Sequence, residues 1–299
     1  MKTKTIWIAL VAMIALAPFC KAQDNTSAEA QKMENLVKNL HYQHGEITIQ
    51  NGIAKLNVPP DFSYLDAADA KTVLTQIWPN PPSAADGVLG MLMPTDKSPL
   101  DEDSWGVIIS YTEDGYVKDD DANKIDYSDL LKKMQAATLE GNKSRTDAGL
   151  KPIQLVGWAT PPRYDAATHK LYWAKEISAE GVPIHSLNYE IRILGRRGVL
   201  DLETIAGMNQ LSEIEQNNPK ILAMVNFNDG NRYEDFDPKI DKVAAYGIGA
   251  LVLGTIAAKA GLFKLLLVGL AAGWKFVLVG FAAVVAFFKK LFGGNKKQT

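Results

Sequence analysis

Leu187-Asn188-Tyr189-Glu190-Ile191-Arg192-Ile193-Leu194, then Gly195-Arg196-Arg197-Gly198, then Val199-Leu200-Asp201-Leu202-Glu203-Thr204-Ile205 sets the architecture of this chain. Two strand-length runs flank a connection with glycine at both ends, which suits a tight turn. Upstream, Ile153 to Trp158 and Lys170 to Ile177 are also read as strands. Four strands at such short intervals predict an antiparallel meander.

The rest of the central region adds strands and helices to it. Glu46 to Gln50 alternates, Asn51-Gly52 is the preferred two-residue turn, and Ile53 to Val58 returns, so a hairpin is expected. Asp66 caps a helix through Val73, Leu74 and Ile77 that Pro79 stops. Val88 to Met93 and Trp105 to Tyr111 read as strands, and Ser128 or Asp126 opens a helix carrying Leu130, Leu131, Met134 and Ala137. A leading helix is expected over 25–39 and a further one near Gln210 to Gln216, followed by a turn at Asn228-Asp229-Gly230-Asn231. Arg232 to Lys242 reads as a polar neck. Trp105, Trp158 and Trp173 fall in strands and are assigned to the core. The class is α+β, an antiparallel sheet with packed helices, followed by C-terminal hydrophobic or transmembrane helices.

The two ends are apolar and the middle is acidic. Lys2 and Lys4 precede the apolar run Ile6 to Ala17, and Cys20 and Ala22 stand at small-residue cleavage positions. That pattern predicts a signal peptide over 1–22 and export of the rest. Cleavage removes Cys20, the one cysteine of the chain, and with it any disulfide, thiolate ligand or cysteine nucleophile. From Lys242 onward there are eight lysines and no acid, while Gln23 to Asp241 holds 21 bases against 34 acids. Such an acidic domain repels phosphate backbones, so nucleic acid is excluded as a partner.

Val243 to Phe263 and Leu265 to Phe288 are each long enough to cross a hydrocarbon core about 30 Å thick. Lys275, near the middle of the second, costs about 3 kcal/mol on insertion scales, against roughly 0.5 returned by each Leu, Val or Phe. With the domain exported, Lys259 and Lys264 reach the cytoplasmic face after one crossing, whereas a second crossing would put Lys289, Lys290, Lys296 and Lys297 outside. The expected organisation is therefore a signal at 1–22, an exported domain at 23–240 and a membrane anchor at 241–299 with one or two hydrophobic helices. It places the protein in an inner membrane, with its domain in the periplasm and its tail in the cytoplasm. The small pairs Ala250 with Gly254, Gly254 with Ala258 and Gly269 with Gly273 would allow helices to approach closely in a homo-oligomer.

Candidate sites are few. Asp119-Asp120-Asp121-Ala122-Asn123 begins like a calcium loop, but Lys124 stands at the turn glycine and Leu130 at the bidentate glutamate, which favours a solvated acidic turn. His41 and His44 lack the further ligands that zinc requires, so neither metal nor cofactor is expected. Asp165 could orient His169 as a general base, although Asp and Thr in such a loop more often satisfy nearby backbone donors. G-x-S-x-G is absent. Arg196 and Arg197, at a hairpin tip, are binding candidates for lipid phosphate or an acidic envelope protein.

Gly115-Tyr116-Val117-Lys118-Asp119-Asp120, Val156-Gly157-Trp158-Ala159 with Pro161-Pro162, and Tyr164 to His169 resemble the central pattern of a known family. Leu187-Asn188-Tyr189 through Val199, and Asp241-Lys242-Val243-Ala244 through Lys264, resemble its later blocks. The family is a set of bacterial, membrane-anchored proteins held as domain of unknown function 2167. His41-Tyr42-Gln43-His44 departs from its pattern. The resemblance implies this architecture and brings no activity, cofactor or catalytic residue. Two functional expectations stand: an envelope interaction module tethered to the lipid bilayer, or an envelope hydrolase centred on Asp165 and His169.

Overall fold

The computed structural model describes residues 25–254, apart from Pro79 and Ala148. In chain order its elements are α1 (Asn25–Lys38), β1 (Gly45–Ile49), β2 (Ala54–Val58), β3 (Phe62–Asp66), α2 (Ala67–Thr72), β4 (Val88–Pro94), β5 (Gly106–Thr112) and β6 (Tyr116–Lys118). They continue with α3 (Tyr127–Asp147), β7 (Ile153–Asp165), β8 (Lys170–Ala179), β9 (Ser186–Leu194), β10 (Val199–Gly207), α4 (Leu211–Met224), β11 (Val225–Phe227), β12 (Val243–Gly247) and α5 (Ile248–Leu253).

Seven strands form one sheet in the order β3-β4-β5-β10-β9-β8-β7, with every neighbouring pair antiparallel. The expected meander is its β7 to β10 half. The turn between β9 and β10 closes on Leu194 opposite Val199. Its glycines are required by crowding: a Cβ on Gly198 would lie 2.1 Å from the Thr112 carbonyl oxygen, and one on Gly195 2.6 Å from the Phe227 ring. A smaller sheet, β1-β2-β11, is also antiparallel.

Alternation along the strands sorts side chains between the two faces of the large sheet. Leu187, Tyr189, Ile191, Leu200 and Leu202 turn toward α4 and the small sheet, where they meet Ile214, Ile221, Leu56 and Val225. On the opposite face, Leu65, Met91 and Met93 pack with Val73 and Leu74, and Ile153, Leu155 and Ile177 pack with Leu131 and Met134 of α3. The same alternation puts charged side chains of β8, β9 and β10 on this second face. Lys175 Nζ lies 2.8 Å from Glu190, Arg192 bridges Glu190 at 2.6 Å and Asp201 at 3.1 Å, and Asn188 donates to Glu203. The Arg192 guanidinium also lies over the Trp173 ring, 5.5 Å from its centroid.

Asp66 caps α2 as expected, accepting from the Ala68 and Asp69 amides, and Asp126 rather than Ser128 caps α3. Three expectations are corrected. The first hairpin turns through four residues, not two: Ile49 pairs with Ala54, and Gln50 and Asn51 take φ of +47° and +55°. β7 runs on past Trp158 through Pro161-Pro162 to Asp165. It can do so because it is an edge strand, where a missing N–H costs no ladder hydrogen bond.

The third correction concerns the expected membrane segment. Val243 opens a strand, β12, that pairs in parallel with β6, and helix begins only at Ile248. Asp121 caps that helix, its two carboxylate oxygens accepting from the Ile248 and Gly249 amides at 3.0 and 3.1 Å. Gly254 follows with φ +84°, so Ala250 and Gly254 do not share one continuous helix. The chain divides into the units Met1–Val252 and Leu253–Thr299. Among the described residues no helix is long and apolar enough to cross a membrane. The signal, the stretch Leu265 to Phe288 and the remaining small-residue pairs lie outside the described residues.

Candidate functional site

β7 and β8 are joined by a turn that the sequence builds locally. The Asp165 carboxylate accepts from the Ala167 amide at 3.0 Å and the Thr168 hydroxyl at 2.9 Å, and these bonds hold it below the usual carboxylate range. The turn ends on His169 at φ +52°, a left-handed conformation in which His is one of the enriched residues. Asp165 therefore shapes the turn, and the carboxylate that faces the imidazole belongs to Asp119. Tyr164 Oη donates to Asp119 Oδ2 at 2.7 Å and lies 3.2 Å from His169 Nδ1, with the Asp119 oxygen 3.9 Å from the same nitrogen.

An ionised carboxylate can only accept, so the Tyr164 proton points to Asp119 and its oxygen is left to accept from His169 Nδ1–H. Burial, reinforced by Asp119, pushes the Tyr164 phenol far up, so it stays a neutral donor. Four rings then stack in sequence. His169 lies on Tyr233 with centroids 4.1 Å apart, Tyr233 on Tyr116 at 4.4 Å, and Tyr116 on Phe236 at 3.9 Å. Tyr233 is fixed by a 2.9 Å bond from its hydroxyl to the Val117 carbonyl. With Nδ1 committed and one face covered, His169 Nε2 has no hydrogen-bond partner among the described residues.

A cleft of about 680 Å³ opens on this imidazole, lined among others by Lys55, Lys170, Asn226, Arg232 and Tyr233. The arginine pair of the β9–β10 turn stands apart from that cleft's lining. Arg196 Nε donates to Asp241 at 2.7 Å and Nη1 to the Gly230 carbonyl, and Arg197 donates to Asn231 at 2.9 Å. Both arginines clamp the segment after β11 to the sheet; the expected polar neck is thus part of the folded body. His41 bonds to Asp69 and His44 to the Phe62 carbonyl, each without the other. Among the described residues no group of three or more His, Cys, Asp or Glu could hold a metal.

A family model described as "Protein of unknown function (DUF2167)" matches residues 41–285. The chain belongs to that family. The match spans every block in which the resemblance was seen, including the one around Tyr164 to His169. No curated protein matches the sequence. Among solved structures, cyanobacterial PsbP (CyanoP) from Synechocystis sp. PCC 6803 is similar at a TM-score of 0.34 and 10% identity, over 62% of this chain and 92% of that one. A likeness that weak equates neither the folds nor the functions.

Asp119, Tyr164, Tyr233 and Lys170 were not legible as one site. The chain separates Asp119 from Tyr164 by 45 residues and His169 from Tyr233 by more, and only the register of β7 with β8 and the docking of the 228–241 segment bring them together.

Proposed function

We propose that this member of the family is an exported, membrane-anchored binding module whose cleft at His169 takes up its partner. The observation that carries the reading is an imidazole fixed through Nδ1 by Tyr164 and Asp119, without a partner for Nε2 among the described residues, on a residue that lines a cleft large enough for a ligand. Support for anchoring comes from the sequence beyond Lys242, with its long apolar stretches and its lysines. Support for binding over chemistry comes from the hydroxyl nearest the imidazole, which is Tyr164's and already serves Asp119. The hydrolase reading would use the same imidazole as a base, with Asp119 in the orienting role expected of Asp165.

Cysteine labelling tests location and occupancy together. Asn226→Cys sits on the cleft rim, and Leu139→Cys on an exposed site of α3. In cells with only the outer envelope permeabilised, a membrane-impermeant maleimide is expected to label Leu139→Cys as fast as in purified protein. It should label Asn226→Cys at least about fivefold more slowly than in purified protein. No labelling at either site until the inner membrane is broken would contradict export. Equal rates at Asn226→Cys in cells and in purified protein would contradict an occupied cleft.

A further inference from the structure

The cleft reverses the charge of the domain around it. Gln23 to Asp241 carries 21 bases against 34 acids, yet the cleft is lined by Lys55, Lys170 and Arg232 against Asp229 and Glu234, together with His169. Two of those bases are weakly held. Lys55 pairs with Glu46 at 3.0 Å and Arg232 pairs with Asp229, both among exposed side chains. Exposed pairs of this kind contribute about 0–1 kcal/mol, so a ligand can displace them at little cost.

Lys170 is different. Its ammonium donates to the Leu222 carbonyl at 3.0 Å, and among the described residues no carboxylate lies within ion-pair distance of it. Burial disfavours its charged form, with Asp165 opposing from farther off. A half-buried cation that meets only a carbonyl is incompletely neutralised, and an arriving anion would complete it.

We propose that this cleft binds an oxyanion head group, a carboxylate or a phosphate, through Lys170 and His169 Nε2, with Lys55 and Arg232 at the rim. This rests on the cleft being the module's binding site. The imidazole gives the contact its direction. Because Nδ1–H is engaged by Tyr164, a contact in which Nε2 donates to the anion requires the imidazolium form of the ring. The charged and titratable groups that contact the ring are Asp119, Tyr164 and Tyr233, and Lys170 and Arg232 line the same cleft.

The test uses the full chain in detergent micelles with its histidines labelled with ¹⁵N, titrated separately with inorganic phosphate and with acetate. Four histidines in the chain keep the spectrum assignable. The expected result is a saturable shift of His169 Nε2 toward the protonated position with at least one of the two anions, while His41 stays still. Response to phosphate alone assigns a phosphate-type ligand, and response to acetate as well assigns a carboxylate-tolerant site. Lys170→Met is expected to weaken binding about tenfold, as loss of one charge-assisted hydrogen bond would. Lys55→Gln, an exposed change that leaves the fold intact, is expected to weaken it about twofold to fivefold. No saturable shift with either anion, or equal affinity in both variants, would overturn the proposal. An Asn226→Cys protected in cells alongside a failed titration would mean that the cleft is occupied by a ligand of other chemistry.

Discussion

Glu190→Gln is expected to destabilise the domain by about 3–5 kcal/mol, the loss seen when one partner of a buried ion pair is removed. Glu190 is 3% exposed and Lys175 5%; Glu190 accepts a hydrogen bond from Lys175 at 2.8 Å and lies at ion-pair distance, 2.6 Å, from Arg192. The substitution leaves two cations on the middle of the sheet, with Asp201 as the remaining partner of Arg192. Combining it with Lys175→Met removes one of the stranded charges and should recover roughly half of the loss, because the two sites are in contact and do not act additively. Urea unfolding of the single and double variants measures this. A single-variant loss below about 1 kcal/mol would mean that the network is open to water.

The same network gives stability an unusual pH dependence. Burial pushes the Asp201 carboxyl up to about 6, Arg192 working against that rise and Glu190 with it. A carboxyl raised in the folded state binds a proton more readily folded than unfolded. Its stabilising contribution is full below the unfolded value of 3.8 and is lost as pH rises through about 6. Between these limits a shift of about two units corresponds to about 3 kcal/mol. Glu203 is raised too, by burial and by Glu190. Glu190 has the opposite sign: burial would raise it, but Arg192 and Lys175 together hold it below 4.5, so its contribution is lost only as pH falls beneath that value. Stability is therefore expected to rise as pH falls from 8, to peak near about pH 5, and to drop in stronger acid. Urea titrations across that range check it. Asp201→Asn should flatten the rise, and a steady decline from pH 8 to 5 in the parent protein would contradict the assignment.

Neither prediction was available from sequence. The runs that form β9 and β10 announce strands and a glycine-bounded turn, and the helix caps at Asp66 and Asp126 are local signals that survive folding. The meander expected of β7 to β10 already makes β8, β9 and β10 neighbours; what a one-dimensional reading could not supply is their register. Glu190, Lys175 and Asp201 become partners only once β8, β9 and β10 are in register. Val243 to Gly247 misled for another reason. Five small or apolar residues leading into a longer apolar run have the same composition whether they begin a helix or add a strand, and composition does not carry the pairing with β6. Arg196 read as an exposed hairpin tip because its partner, Asp241, lies 45 residues away. The turn before His169 is legible locally, and Asp165 satisfies its nearby donors as such loops commonly do, but the carboxylate beside the imidazole, Asp119, lies 50 residues earlier and comes there only through the fold.

The account turns on the cleft beside His169, and capture of its occupant in living cells tests that most directly. A photo-cross-linking residue is placed at Asn226 on the cleft rim or at Leu139 on α3, and adducts formed in intact cells are identified by mass spectrometry. The account predicts a discrete, reproducible adduct from position 226 that is absent from position 139 and is lost when His169→Asn and Lys170→Met are combined. No adduct from position 226, or the same adducts from both positions and undiminished by the double substitution, would contradict it.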